Sequence, residues 1–389
     1  MEGARYLEDG RLTIFRRSGI YHARLRTTAS NKYITRSLKT SNEQTAVDLG
    51  RRLLFQLEQR AEQGLPPKSK LFAAVIDDYI RYRERDQRRG KTSAGMLRQI
   101  IRVSKFWREY AGELAVEAID DKVMREFIPW RRDYYANWKK LPKNAKLHPA
   151  DRTIQFDMMV GKAIVRWAQE QGLRGNKPAI TATFTPKKKR VRPAFELSEF
   201  RTLWRVLCRR IKTARGKRFK RSRELLRYYV LVIANSGLRP GEANDLKLRD
   251  VHPFKDEKGR SNYRFVVRGK TGERDVIIRS ATSKRLDKLL TKRRAENPAG
   301  YLLAMSDESR ITTLIDQLGA ALKEANLQRS SFGEKYSIYS FRHFYAVNAL
   351  RNGIGVFEVA RNMGTSVQII QEYYGKQATA AVFATRLGD

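Results

Sequence analysis

The chain has 389 residues, with 80 Lys and Arg against 41 Asp and Glu, a formal charge of +39 and a pI near 10.5. Its hydrophobic share of 41% is enough for packed cores, which excludes a disordered polycation. A basic excess spread through patterned segments calls for a polyanionic partner, and nucleic acid fits best.

Cys208 is the only cysteine, and His22, His148, His252 and His343 lie scattered, so neither a disulfide scaffold nor a metal-ligand spacing is present in the sequence. No apolar run approaches bilayer length and the first residues lack a signal-peptide pattern. A soluble, cytoplasmic, DNA-associated protein without a membrane partner is expected.

Runs at 11–15, 21–26 and 33–38 mix β-branched and aromatic residues with basic ones and predict three strands, with turns at Ser18-Gly19 and Ser30-Asn31. A helix follows, with Ser41 and Gln44 spaced as a capping box and Ala46, Leu49, Leu53 and Leu57 on one face. Arg24, Arg26, Lys32 and Arg36 are the outward basic residues of this module, a sheet of the kind that enters a DNA groove.

From 71 to 172 the periodicity is helical and predicts a bundle of about four helices, whose tryptophans read as core. Lys187, Lys188, Lys189 and Arg190 form a basic linker, read as a strap across DNA phosphates. Beyond it come a helix from about 198, a dense basic segment at 209–223 with Arg215, Lys217 and Arg218, and an apolar helix at 225–234. The basic segment reads either as a DNA-ordered loop or as a solvated insertion. Strands at 263–267 and 274–278 flank a turn at Gly269-Lys270-Thr271-Gly272, and several helices finish the chain.

The residue types in this half point to chemistry at a phosphodiester. Attack on phosphorus adds negative charge to the non-bridging oxygens, and preorganised cations are the strongest available response. Arg239 and Arg342 suit such a clamp, because guanidinium forks hold phosphate oxygens in a bidentate way. A tyrosine oxygen can attack the phosphorus, and a lysine on a tight hairpin, Lys270, can protonate the leaving 5′ oxygen.

Four blocks in order carry a resemblance: Asn235-Ser236-Gly237-Leu238-Arg239-Pro240-Gly241-Glu242, Arg268-Gly269-Lys270-Thr271-Gly272-Glu273-Arg274, Tyr339-Ser340-Phe341-Arg342-His343, and Met363-Gly364-Thr365-Ser366 through Tyr374-Gly375. The chain resembles the tyrosine recombinases of the phage-integrase type. The resemblance implies a mainly α chain with small β elements (α+β): an arm-site-type DNA-binding domain at 1–66 made of a three-stranded sheet and a helix, a helical core-binding domain at 69–175, a basic linker at 176–194 and a mixed α/β catalytic domain at 195–389. It implies a catalytic set of Arg239, Lys270, Tyr339, Arg342, Thr365 and Tyr374, with Tyr374 as nucleophile. Spacing from Thr365 and the following Gly375 favour Tyr374 over Tyr373, and Glu242 is expected to orient neighbouring cations.

Two positions depart from the family's commonest pattern. Tyr339 stands where histidine is frequent, and its hydroxyl still donates or accepts. Thr365 stands where histidine or tryptophan is frequent, nine residues before Tyr374. His343 is either a compensating donor or a structural residue. The implied function is site-specific strand exchange by integration or excision, for a prophage or another mobile genetic element. It would run through a 3′-phosphotyrosyl link, without cofactor, with a homotetramer on two attachment-type DNA sites and accessory bending or directionality factors. A type IB topoisomerase-like enzyme and a DNA-binding relative without activity are the alternatives.

Overall fold

The computed structural model describes residues 4–28, 31–136, 138, 140–141, 146–186, 193–269 and 272–372. The chain divides into two units, 1–188 and 189–389. Lys187, Lys188, Lys189, Arg190, Lys270, Tyr373 and Tyr374 lie outside the described residues.

The first unit opens with β1 (Arg5–Leu7), β2 (Leu12–Arg17), β3 (Ile20–Leu25) and β4 (Ile34–Ser37), an antiparallel sheet in sequence order. The expected sheet thus has a fourth strand. Arg5–Leu7 is three residues long and mostly exposed, too short for an alternating pattern to stand out. Helix α1 (Glu43–Glu62) starts one residue later than its expected capping box. Asn42, not Ser41, is the N-cap, and its Oδ1 accepts from the Thr45 N–H at 2.9 Å. Leu12, Ile14, Ala23 and Leu25 form a core with Ala46, Val47, Leu54 and Leu57 of α1.

Register decides which basic residues share a face. Thr13 pairs with Arg24 and Phe15 with His22 on the side away from α1, and Arg24 sits 4.1 Å from the Tyr33 ring centroid, with Arg26 at 5.6 Å. Arg36 pairs with Ala23, which is buried against α1. Directly opposed residues point to the same side of a sheet, so Arg36 lies on the helix side and does not join Arg24. Arg36 is nevertheless exposed.

The bundle of this unit is built from α2 (Phe72–Arg88), α3 (Ala94–Ala111), α4 (Asp121–Asp133) and α5 (Asp151–Glu170). Its core includes Phe72, Val75, Ile76, Trp107, Met124, Phe127 and Ile164. Trp107 is fully buried, stacks on Phe127 at 3.8 Å and donates its Nε1–H to the Asp157 carbonyl at 2.8 Å. The sheet module is tied to the bundle: Arg60 pairs with Glu117 at 2.9 Å, and the Asn176 N–H reaches the Gln63 carbonyl at 2.8 Å.

The second unit begins with α6 (Leu197–Lys212) and α7 (Lys217–Ser236). The basic segment expected as a loop or insertion is instead the end of one helix and the start of the next, joined at 213–216. Its arginines are partly used in place: Arg209 and Arg210 both pair with Glu324, and Arg221 pairs with Glu308. Arg215, Lys217 and Arg218 are exposed.

Then follow α8 (Pro240–Asp245), the antiparallel β5 (Val251–Lys255), β6 (Ser261–Gly269) and β7 (Gly272–Ile278), α9 (Ser283–Glu296), α10 (Ile315–Glu324), α11 (Ile338–Arg351), α12 (Val356–Met363) and α13 (Val367–Ile370). Strand β5 escaped the sequence reading because Pro253 interrupts it, which an edge strand tolerates. Helix α11 is buried nearly all round. Phe341 and Phe344 enter the large core with Leu203, Val230 and Phe265. Tyr345, Ala346 and Val347 enter a second core with Val359 and Met363.

Candidate active site

Arg239 stands at a turn between two helices, and local chemistry explains why. Helix α7 ends at Ser236, and Gly237 adopts φ +70. A Cβ there would be strained and would also overlap the Tyr345 ring and Met363. Pro240 then opens α8 at its first position, where a missing N–H costs nothing. Arg239 is the N-cap residue, and its N–H donates to Glu242 Oε2 at 2.9 Å.

Glu242 organises the cations around it. Its side chain is 8% exposed, and its Oε1 accepts from Arg239 Nη1 at 2.8 Å and from Arg274 Nη1 at 3.0 Å. Its Oε2 accepts from Arg274 Nη2 at 2.8 Å. Burial pushes the Glu242 carboxyl up, but the bonds from Arg274 and then Arg239 outweigh it and hold the group below its usual range. Arg239 keeps 36% of its side chain exposed, so the cation is oriented by Glu242 without being enclosed.

Arg274 enters from β7, where it lies on the same side as the buried Val276 and Ile278. Its Nη2 also reaches the Met363 carbonyl at 3.2 Å. Arg239 donates to the Gly364 carbonyl. Gly364 has φ +63 and lies against the Arg274 guanidinium, so a side chain there would collide with the cation. The α12–α13 turn carrying Thr365 is therefore docked on both arginines. Gly269, paired with Gly272 across the hairpin, lies with its Cα side toward Glu242 Oε1.

Arg342 comes from the other direction, out of the buried helix α11. It is 2% exposed and donates to the Gly237 carbonyl. Both candidate arginines are thus anchored to one turn, Arg342 two residues before Arg239 in that turn and Arg239 within it. Tyr339 lies one helical turn ahead of Arg342, and its ring is tilted on His343 at 5.1 Å between centroids. His343 is buried. Thr365 donates its N–H to the Ala360 carbonyl at 3.0 Å and is half-buried.

Arg239, Arg342 and the Thr365 turn are thus brought to one place, with Tyr339 on the helix that carries Arg342. Lys270 and Tyr374 are outside the described residues. The sequence reading gave no role to Arg274 or Asn362. A signal for Arg274 exists: a charged residue in step with Val276 and Ile278 points inward and must have a partner. Asn362 carries no such local mark. A cavity of about 920 Å³ opens between α5 and residues 179–184. Its walls, including Phe156, Met159, Ile180 and Phe184, contain none of the candidate catalytic residues.

No family model and no curated protein matches the chain. Solved structures do. A lambda integrase dimer bound to a COC′ core site shares the fold at TM-score 0.56 and 15% identity, over 95% of this chain and 96% of that one. The XerH site-specific recombinase bound to a palindromic difH substrate does so at 0.55 and 15%, over 86% and 88%. The Tn1549 transposon integrase in complex with transposon right end DNA follows at 0.53 and 13%, over 82% and 100%. Among the described residues no helix is long and apolar enough to cross a membrane. With helices dominating, small antiparallel sheets and near full-length correspondence to these three, the chain has the tyrosine-recombinase fold.

Proposed function

We propose that the chain is a site-specific DNA recombinase that cuts and rejoins duplex DNA through a 3′-phosphotyrosyl intermediate. The observation that carries this reading is the anchoring of Arg239 and Arg342 to a single turn, with Glu242 and Arg274 fixing the first of them. Two guanidinium groups held in advance around one phosphate would stabilise the charge that develops on its oxygens. Tyr374 Oη would give up its proton to solvent and attack the phosphorus, the P–O5′ bond would break, and Lys270 would pass a proton from its ammonium to the departing 5′ oxygen. A 5′ hydroxyl from the partner duplex then attacks the same phosphorus and releases the tyrosine, so rejoining draws its energy from the link itself. Tyr339 and Thr365 would complete the phosphate contacts.

The formal charge of +39 supports a duplex DNA partner bound with strong salt dependence. Arg24 and Arg26, on the open side of the N-terminal sheet, would contact an arm-type site. Arg215, Lys217, Arg218 and the linker cations Lys187, Lys188, Lys189 and Arg190 would contact backbone phosphates. Four copies on two attachment-type sites, assisted by accessory bending or directionality factors, would form the working assembly.

The test is a nicked suicide duplex drawn from the DNA flanking the gene. A covalent protein–DNA adduct is expected from the wild type and none from Tyr374→Phe. An unchanged adduct in Tyr374→Phe would overturn the nucleophile assignment, and no adduct in the wild type would leave only a binding protein. Strand exchange between two sites, as against relaxation of supercoils alone, separates recombinase from topoisomerase.

A further inference from the structure

Strand β7 is the edge of its sheet, and edge strands leave backbone N–H and C=O groups in want of partners. At Ile277 both are taken by one side chain. Asn362 Oδ1 accepts the Ile277 N–H at 2.7 Å, and Asn362 Nδ2 donates to the Ile277 carbonyl at 3.2 Å. The amide acts there as a single residue of an added strand. The same Nδ2 lies 2.9 Å from the Ser236 carbonyl and 2.8 Å from Tyr345 Oη, so its two hydrogens are shared among three acceptors. Ser236 ends α7 and directly precedes Gly237, and a carbonyl at a helix end has no partner within the helix. The orientation of the amide follows from its partners, since one is an N–H and two are carbonyls.

One side chain therefore joins the strand of the β6–β7 hairpin, the end of α7 that leads into the Arg239 turn, and α11, which carries Arg342. We propose that Asn362 is a positioning residue: it sets the hairpin against the arginine turn, and acts on cleavage through the leaving-group step that the hairpin serves. The proposal rests on the recombinase reading above. A Leu or Ala at 362 would leave the Ile277 N–H, the Ser236 carbonyl and the buried Tyr345 hydroxyl without this partner, and the hairpin would lose its link to α7.

The experiment compares two suicide duplexes, one with the normal bridging 5′ oxygen at the scissile phosphate and one with sulfur in its place. With sulfur the P–S bond breaks and a 5′ thiolate departs, a leaving group stable enough to need no proton. Asn362→Ala is expected to slow cleavage of the oxygen duplex about 10- to 100-fold, the scale of a displaced catalytic group, and to cleave the sulfur duplex within about threefold of wild type. A merely structural loss would slow both duplexes alike. Equal slowing of both, or slowing of neither, overturns the proposal. Asn362→Asp, which keeps the acceptor for the Ile277 N–H, is read in the same way if Asn362→Ala does not fold. Lys270→Ala is run beside them: rescue by sulfur supports that lysine as the proton donor. Rescue of Asn362→Ala without rescue of Lys270→Ala would overturn the route through the hairpin.

Discussion

Each unit buries a carboxylate between two arginines, and the two sites are built to opposite ends. In the helical bundle Asp157 is fully buried, with Arg131 Nε at 2.9 Å and Arg102 Nη2 at 3.5 Å. The Arg131 guanidinium is closed in as well, 3.7 Å from the Phe106 ring centroid. In the second unit Glu242 holds Arg239 and Arg274, but Arg239 keeps a third of its side chain in contact with solvent. Burial outweighs the arginines at Asp157 and pushes its carboxyl above the usual range, while the arginines outweigh burial at Glu242 and hold it below. Arg102 keeps 42% of its side chain exposed, but the Asp157–Arg131 pair itself is closed on all sides and serves to join helices. One left open on the cation's side can present that cation to an incoming phosphate.

The largest expected effect tests the closed pair. Asp157→Ala leaves Arg131 buried without its counter-charge, and a loss of about 3–5 kcal/mol is expected in urea unfolding. Cleavage per folded molecule should stay near wild type. A loss under about 1 kcal/mol would mean that the cation rehydrates and that the pair is not closed.

Arg239→Ala should do the reverse. Adduct formation is expected to fall about 10²- to 10³-fold, as for removal of one preorganised donor to a transition-state oxygen. Stability should change by about 1 kcal/mol or less, the scale of a half-exposed ion pair. Adduct loss that merely follows the unfolded fraction would erase the distinction between the two sites.

Acid titration sharpens the same contrast. Glu242 is held low, so its contribution is complete above about 4.5 and is lost as pH falls through its lowered value. Asp157 is pushed high, so the pH-linked part of its contribution is complete below about 3.8 and falls as pH rises through its raised value. Glu242→Gln, expected to cost about 1–3 kcal/mol at neutral pH, should therefore flatten the fall of stability between pH 6 and 3. Asp157→Asn should steepen it. Identical acid slopes in the two variants, measured by unfolding at each pH, would contradict the opposite shifts.

The smallest effect concerns the N-terminal sheet. Arg24→Ala should lower DNA affinity and reduce the salt slope by about one unit, whereas Arg36→Ala, on the helix side, should change it by less. Equal slopes would mean that the side of the sheet does not decide contact.

Much of the second unit was legible because its key residues sit in contiguous motifs. Gly237 ends a helix, Pro240 starts one, and Arg239 between them is placed by these neighbours and Glu242. The hairpin between Gly269 and Gly272 is legible for the same reason. Element boundaries failed where local signals were weak or competing. The strands Arg5–Leu7 and Val251–Lys255 were missed, one for its length and one for its proline, and the dense charge at 209–223 hid two helix ends.

The sequence by itself determined the class of partner, through charge, and the residue types and order of the four blocks, through local turn and cap chemistry. Only the tertiary structure decided which of those residues support one another. Arg274 meets Glu242 across 32 positions, and Asn362 meets Ile277 and Ser236 across 85 and 126. No local propensity encodes such partners. They follow from the packing of α7, α11, α12 and β7, which brings a buried carboxylate and an edge-strand backbone to the side chains able to satisfy them.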